Sequence, residues 1–110
     1  MNAEPRHASL AVGKWFALTF AEQMGNIGSE VRRAVQWQEQ DPQIFNRAID
    51  NMLELIDMTI LDARWRGRLK EILRVREFLC DAAFGEKTYG TLDDFDTYFL
   101  QFAIMARNGL

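Results

Sequence analysis

The sequence predicts an all-α protein, an antiparallel four-helix bundle with short connections. Three observations carry that prediction. Apolar residues recur at steps of three and four in four separate stretches. No stretch alternates with period two over the length of a strand. Residues that stop or start helices part the stretches from one another. The chain has 110 residues, 48% of them hydrophobic and 26% charged. That composition suits one folded domain with a real core. We expect a flexible N-terminal arm over residues 1–8, where Pro5 opposes helix, and a single helical domain over residues 9–110.

The first helix is expected to start with Ser9 as its cap and to run to about Glu39. Phe20, Met24, Ile27, Val31, Ala34 and Val35 fall on one stripe. Gly13, Gly25 and Gly28 weaken the pattern. Asp41-Pro42 restarts the chain, since Asp accepts the free N–H groups and Pro has no N–H to lose. The second helix then runs from Pro42 to about Ile60. Phe45, Ala48, Ile49, Met52, Leu53, Ile56 and Ile60 face inward, opposite Asn46, Asp50, Glu54 and Asp57. The third runs from about Asp62 to Phe84, with Trp65, Leu69, Ile72, Leu73, Leu79 and Ala83 inward and Gly85 as its stop. Thr91-Leu92-Asp93-Asp94 reads as the capped start of the fourth helix. It carries Leu92, Phe95, Phe99, Phe102 and Ala106 and ends at Asn108-Gly109.

Composition removes several classes of function. One cysteine, Cys80, excludes a disulfide scaffold and points to a cytoplasmic setting. Charged residues interrupt every apolar stretch, so no membrane span is expected. The net charge of -3 argues against general nucleic-acid binding, which draws on a basic excess. Arg66, Lys70 and Arg74 share an outer helix face and are the one local basic stretch that could bind nucleic acid weakly. Acidic residues interleave with them, which favours a solvated face. No metal or cofactor is expected: the Glu-x-x-His motif of bundle metal sites is absent, and Glu54-x-x-Asp57 has no matching pair. His7 is the sole histidine and falls in the expected arm, so no catalytic base is assigned. Cys80 borders the apolar arc of the third helix and reads as core.

Two places break the pattern. At 100° per residue Arg76 falls among Leu69, Ile72, Leu73 and Leu79. A buried guanidinium needs a partner, and Glu30, at the edge of the first stripe, is the candidate. The alternatives are that Arg76 snorkels to water or binds a ligand together with Glu30. In Gly25-Asn26-Ile27-Gly28-Ser29-Glu30, small residues permit either close approach of another backbone or a break in the helix. A break would make Ser29 part of an anion site.

The run Gln23-Met24-Gly25-Asn26-Ile27-Gly28-Ser29-Glu30-Val31, with Arg47-Ala48, Glu54-Leu55-Ile56-Asp57, Arg74-Val75-Arg76-Glu77-Phe78-Leu79-Cys80-Asp81 and Tyr89-Gly90 to Tyr98-Phe99, resembles a family of small uncharacterised prokaryotic helical proteins. The resemblance spans about residues 20–107. It implies a helical fold and a shared core, and it supplies no catalytic residue. Helical nucleases that place a His shortly after an Arg on a late helix are not matched, because Arg74 and Arg76 have no such His. Helical nucleotide pyrophosphatases hold magnesium with two paired acidic segments, of which Glu54-x-x-Asp57 supplies half of the pattern.

The leading functional reading is a non-enzymatic helical protein-interaction module with an unknown protein partner. A homodimer is the companion expectation, through Leu100 and Ile104 on the outer side of the fourth helix with Trp37 beside them. The competing reading is a small-ligand or nucleotide-handling enzyme centred on Arg76 and Glu30.

Overall fold

The computed structural model describes residues 13–109. Four α-helices pack together: α1 Phe20–Trp37, α2 Pro42–Leu61, α3 Leu69–Phe84 and α4 Leu92–Arg107. Two 3-10 segments, Trp15–Ala17 and Ala63–Arg68, precede α1 and α3. No strand occurs among the described residues. The expected arm over residues 1–8, its Pro5 and His7, and the expected cap Ser9 lie outside the described residues.

α1 begins later than the sequence suggests. Leu18 is extended (ψ 151°), and Thr19 then closes a capping box with Glu22. The Glu22 backbone N–H donates to Thr19 Oγ1 at 3.1 Å, and the Thr19 N–H donates to Glu22 Oε1 at 2.8 Å. These two bonds satisfy donors that a helix start leaves free. From there α1 runs unbroken through Gly25 and Gly28. At the start of α2, Asp41 accepts from the Gln43 and Ile44 N–H groups, and Pro42 takes the first helical position. The Gly85 N–H closes α3 on the Asp81 carbonyl. Asp94 accepts from the Thr91 N–H at 2.9 Å as α4 begins.

α1 is the centre of the fold and packs mainly against α2 and α4. Its stripe of Phe20, Met24, Ile27, Val31 and Ala34 is buried against Ala48, Ile49, Met52 and Ile56 of α2 and Phe99 and Phe102 of α4. Gly28 lets α4 come close: a Cβ there would lie 2.4 Å from Phe99 Cβ.

α3 is seated differently from the expectation. It buries Ile72, Leu79 and Ala82, with Val75 half-buried, while Leu73 is 47% exposed and Leu69 36%. The inward face is thus turned by roughly 70° from the arc centred on Arg76, at 100° per residue. The apolar arc of α3 is wider than the face it buries. Ile72 and Leu79 lie at one side of that arc, and Val75 and Ala82 continue the buried face away from Arg76, leaving Leu69 and Leu73 outside it. Residues 63–68 wind as 3-10 helix, with Trp65 off helical geometry (φ -102°, ψ 22°), so α3 starts at Leu69 rather than near Asp62.

Candidate functional site

The densest polar cluster is structural. Gln23 is fully buried on α1. Its Nε2 donates to the Trp15 carbonyl at 2.8 Å and to Asp62 Oδ2 at 3.0 Å, and its Oε1 accepts from Trp65 Nε1 at 2.9 Å. Asp62, also buried, receives Arg64 through two side-chain bonds of 3.0 and 2.7 Å, and Arg64 reaches on to the Leu18 carbonyl at 2.7 Å. The Arg64 guanidinium, with help from Gln23, holds the Asp62 carboxyl down at about 2 against the opposing effect of burial. Every group serves to tie the first 3-10 segment, α1 and the segment before α3 together. Trp15 Nε1 and Asn51 Oδ1 are buried without a partner among the described residues.

The open site lies on the other side of α3. α3 and α4 touch sparingly, and between them runs a groove of about 720 Å³. Val75 and Phe78 of α3 and Phe95 and Tyr98 of α4 wall it. Phe78 stacks on Phe95 (centroids 6.1 Å apart) and on Tyr89 (4.5 Å), which joins the helices at that end. Across the groove the Tyr98 hydroxyl donates to Glu71 Oε2 at 3.2 Å. Burial first, and then the Glu71 charge, push the Tyr98 phenol up to about 12. Arg68, Lys70 and Arg74 bring positive charge to the lining, against Glu71 and Asp94. Arg68 is seated over the Phe20 ring at 4.3 Å, and Asp94 is spent on the α4 cap. Among the described residues Lys70 and Arg74 form no ion pair.

The sequence-predicted residues divide between several places. Arg76 does not meet Glu30. It bonds Asp57 of α2 through Nε at 2.7 Å, with its side chain 37% exposed. The turned face of α3 carries it out of the core to the α2 edge. Glu30 accepts from Asn51 Nδ2 at 3.4 Å and lies 3.9 Å from Arg33 Nε. The proposed enzyme centre of Arg76 and Glu30 is therefore not assembled. Ser29 bonds back to the Gly25 carbonyl within an unbroken helix, so the helix break that would have made an anion site is absent. Ser29 instead borders a shallow cleft between α1 and α4, with the ion pair of Arg32 and Asp96 (3.5 Å) beside it. Leu100 and Ile104 are exposed on α4, at 43% and 47%, and Trp37 is half-buried at the end of α1. Of the basic face, Lys70 and Arg74 line the groove, while Arg66 stays on the 3-10 segment.

Sequence reasoning missed the groove walls as a site. Of the four walls only Phe95 is expected inward; Val75, Phe78 and Tyr98 are assigned to no face, and periodicity does not report that two helices diverge. Among the described residues, no group of three or more His, Cys, Asp or Glu side chains could hold a metal ion, and no helix is long and apolar enough to cross a membrane. Comparison with family models, with curated proteins and with solved structures finds no match.

Proposed function

We propose that this chain is a non-enzymatic helical interaction module whose working surface is the α3–α4 groove, and that it receives an acidic amphipathic helix of a partner protein. The observation that carries the reading is the groove itself, an apolar trough between two helices with Lys70 and Arg74 free at its rim. Helix-in-groove recognition sets apolar anchors at steps of three and four into such a trough. From Lys70 to Phe78 the trough follows α3 for about 12 Å, at 1.5 Å per residue, room for about two turns of a docked helix. An acid on that helix would meet Lys70 and Arg74. The antiparallel bundle arrangement, its short connections and a cytoplasmic setting belong to the same proposal.

A displayed library of helical peptides, selected on the wild-type chain, tests the reading. Enriched sequences should be amphipathic and acidic. They should lose binding at least tenfold to Val75→Trp, which fills the trough, and to Lys70→Glu with Arg74→Glu, which inverts its rim. Peptides that bind all three proteins equally, or no enrichment, would overturn it.

A further inference from the structure

We infer that the chain also binds a second copy of itself, α3 lying parallel against α3, along the flank of α3 turned away from the groove. The starting point is an excess of apolar surface. α3 carries more apolar residues than its own core uses, and the surplus is not scattered. Leu69, Leu73, Cys80 and Phe84 fall within a 60° sector of the helix at 100° per residue. Leu73 is 47% and Phe84 65% exposed. Leu61, 76% exposed, ends α2 just ahead of the segment that leads into α3. Single exposed apolar residues need no explanation, but a row along one helix flank does.

The spacing names the occupant. Positions 69, 73, 80 and 84 form one continuous row along the helix, bounded by Arg76 at one edge and Glu77 at the other. Such a row is covered by another helix with the same spacing, and a second copy presents it by identity. The charges at its two edges set the direction. In a parallel two-fold pair, each Arg76 comes beside the Glu77 of the other copy. In an antiparallel pair, Arg76 would face Arg76 and Glu77 would face Glu77. Glu77 has no ion pair among the described residues. Arg76 already sits at the surface, bonded to Asp57. Charge complementarity therefore favours the parallel pair, which is isologous, with Leu73 on Leu73 and Cys80 on Cys80. This surface is distinct from the groove and does not depend on the function proposed for it.

Light scattering of the wild-type chain up to high micromolar concentration should give a dimer mass. Mild oxidation should then link the copies through Cys80. Leu73→Glu, at an exposed position where the fold should survive, should weaken association at least tenfold with unchanged helical content by circular dichroism. Leu100→Glu should leave the dimer intact. In the variant Leu73→Cys, links between like positions, 73 to 73 and 80 to 80, are expected by mass spectrometry of peptides. A monomeric wild type overturns the inference. So does a dimer that survives Leu73→Glu, or one that dissociates with Leu100→Glu. Links running from position 73 to position 80 would overturn the parallel direction and with it the proposal.

Discussion

Replacing Gly28 by alanine should destabilise the protein, although alanine is the better helix former. The added Cβ would stand 2.4 Å from Phe99 Cβ and 3.0 Å from its Cγ. Carbon atoms pack at about 3.5–4.0 Å, so a separation of more than about 1 Å must be found. Phe99 cannot yield by changing rotamer, because its Cβ is fixed to the α4 backbone. The helices themselves must move apart, at the most buried part of the core. Overpacking costs about 1–3 kcal/mol, and a contact that only a shift of whole helices relieves takes the upper part of that range, about 2–3 kcal/mol. The helical preference of alanine over glycine returns about 1 kcal/mol. The net loss should be about 1–2 kcal/mol, read as a fall in Tm of about 5–15 °C for a domain of this size. Gly25 provides the matched control on the same face. A Cβ there meets Ala103 Cα at 3.6 Å, an ordinary contact. Gly25→Ala should therefore gain about 0.5–1 kcal/mol from the helix term alone. Thermal and urea melts of both variants decide the matter. A Gly28→Ala protein as stable as wild type, or two variants shifting in the same direction, would refute the close-approach argument.

Arg76→Ala should cost less than about 1 kcal/mol when measured at a concentration where the chain is monomeric, because its pair with Asp57 is solvent-exposed; a loss of several kcal/mol in urea melts would mean the guanidinium is buried after all. Asp62 titrates at about 2 in the folded chain, below the ordinary 3.8, so the unfolded chain binds the proton first as pH falls. The ion pair should thus contribute about 2 kcal/mol that is intact above about pH 5 and is lost as pH falls through the window from 4 to 2. Asp62→Asn should flatten that part of the acid dependence, and parallel acid profiles for the two proteins would count against the buried pair. In a Tyr89→Phe background the remaining phenol absorbance should titrate near 12; ionisation near 10 would show that Tyr98 is neither buried nor held by Glu71.

Local chemistry was the legible part of this chain. Asp41-Pro42, Gly85 and the Thr91–Asp94 start act through neighbours in sequence, and each does in the structure what its residue type dictates. Thr19-x-x-Glu22 was equally legible as a capping box, but the helical spacing upstream of it hid the signal. Long-range geometry was not legible. Gln23 finds Asp62 and Trp65 across 39 and 42 residues, and a buried glutamine has no pattern of its own. Arg76 was misplaced for a related reason. Its place among Leu69, Ile72, Leu73 and Leu79 holds, but that apolar arc is wider than the face α3 buries, and which side of it meets the core is set by how α3 sits against α2 and α4. The groove depends on how far apart α3 and α4 stand, a quantity that neither helix encodes alone.

The sparing attachment of α3 also bears on how the fold opens. α1, α2 and α4 share one tightly interlocked core, whereas α3 is held along a narrow edge and by the cluster around Asp62. Cooperative units of a native protein exchange their amide hydrogens at different free energies, and the most lightly packed unit opens first. α3 is then the segment whose amides exchange ahead of the others, while α1 is released only by global unfolding. It is also the helix that carries both proposed binding surfaces. Occupation of either one would slow α3 exchange selectively, so amide protection along residues 69–84 becomes a label-free report of binding, whatever the chemical identity of the ligand.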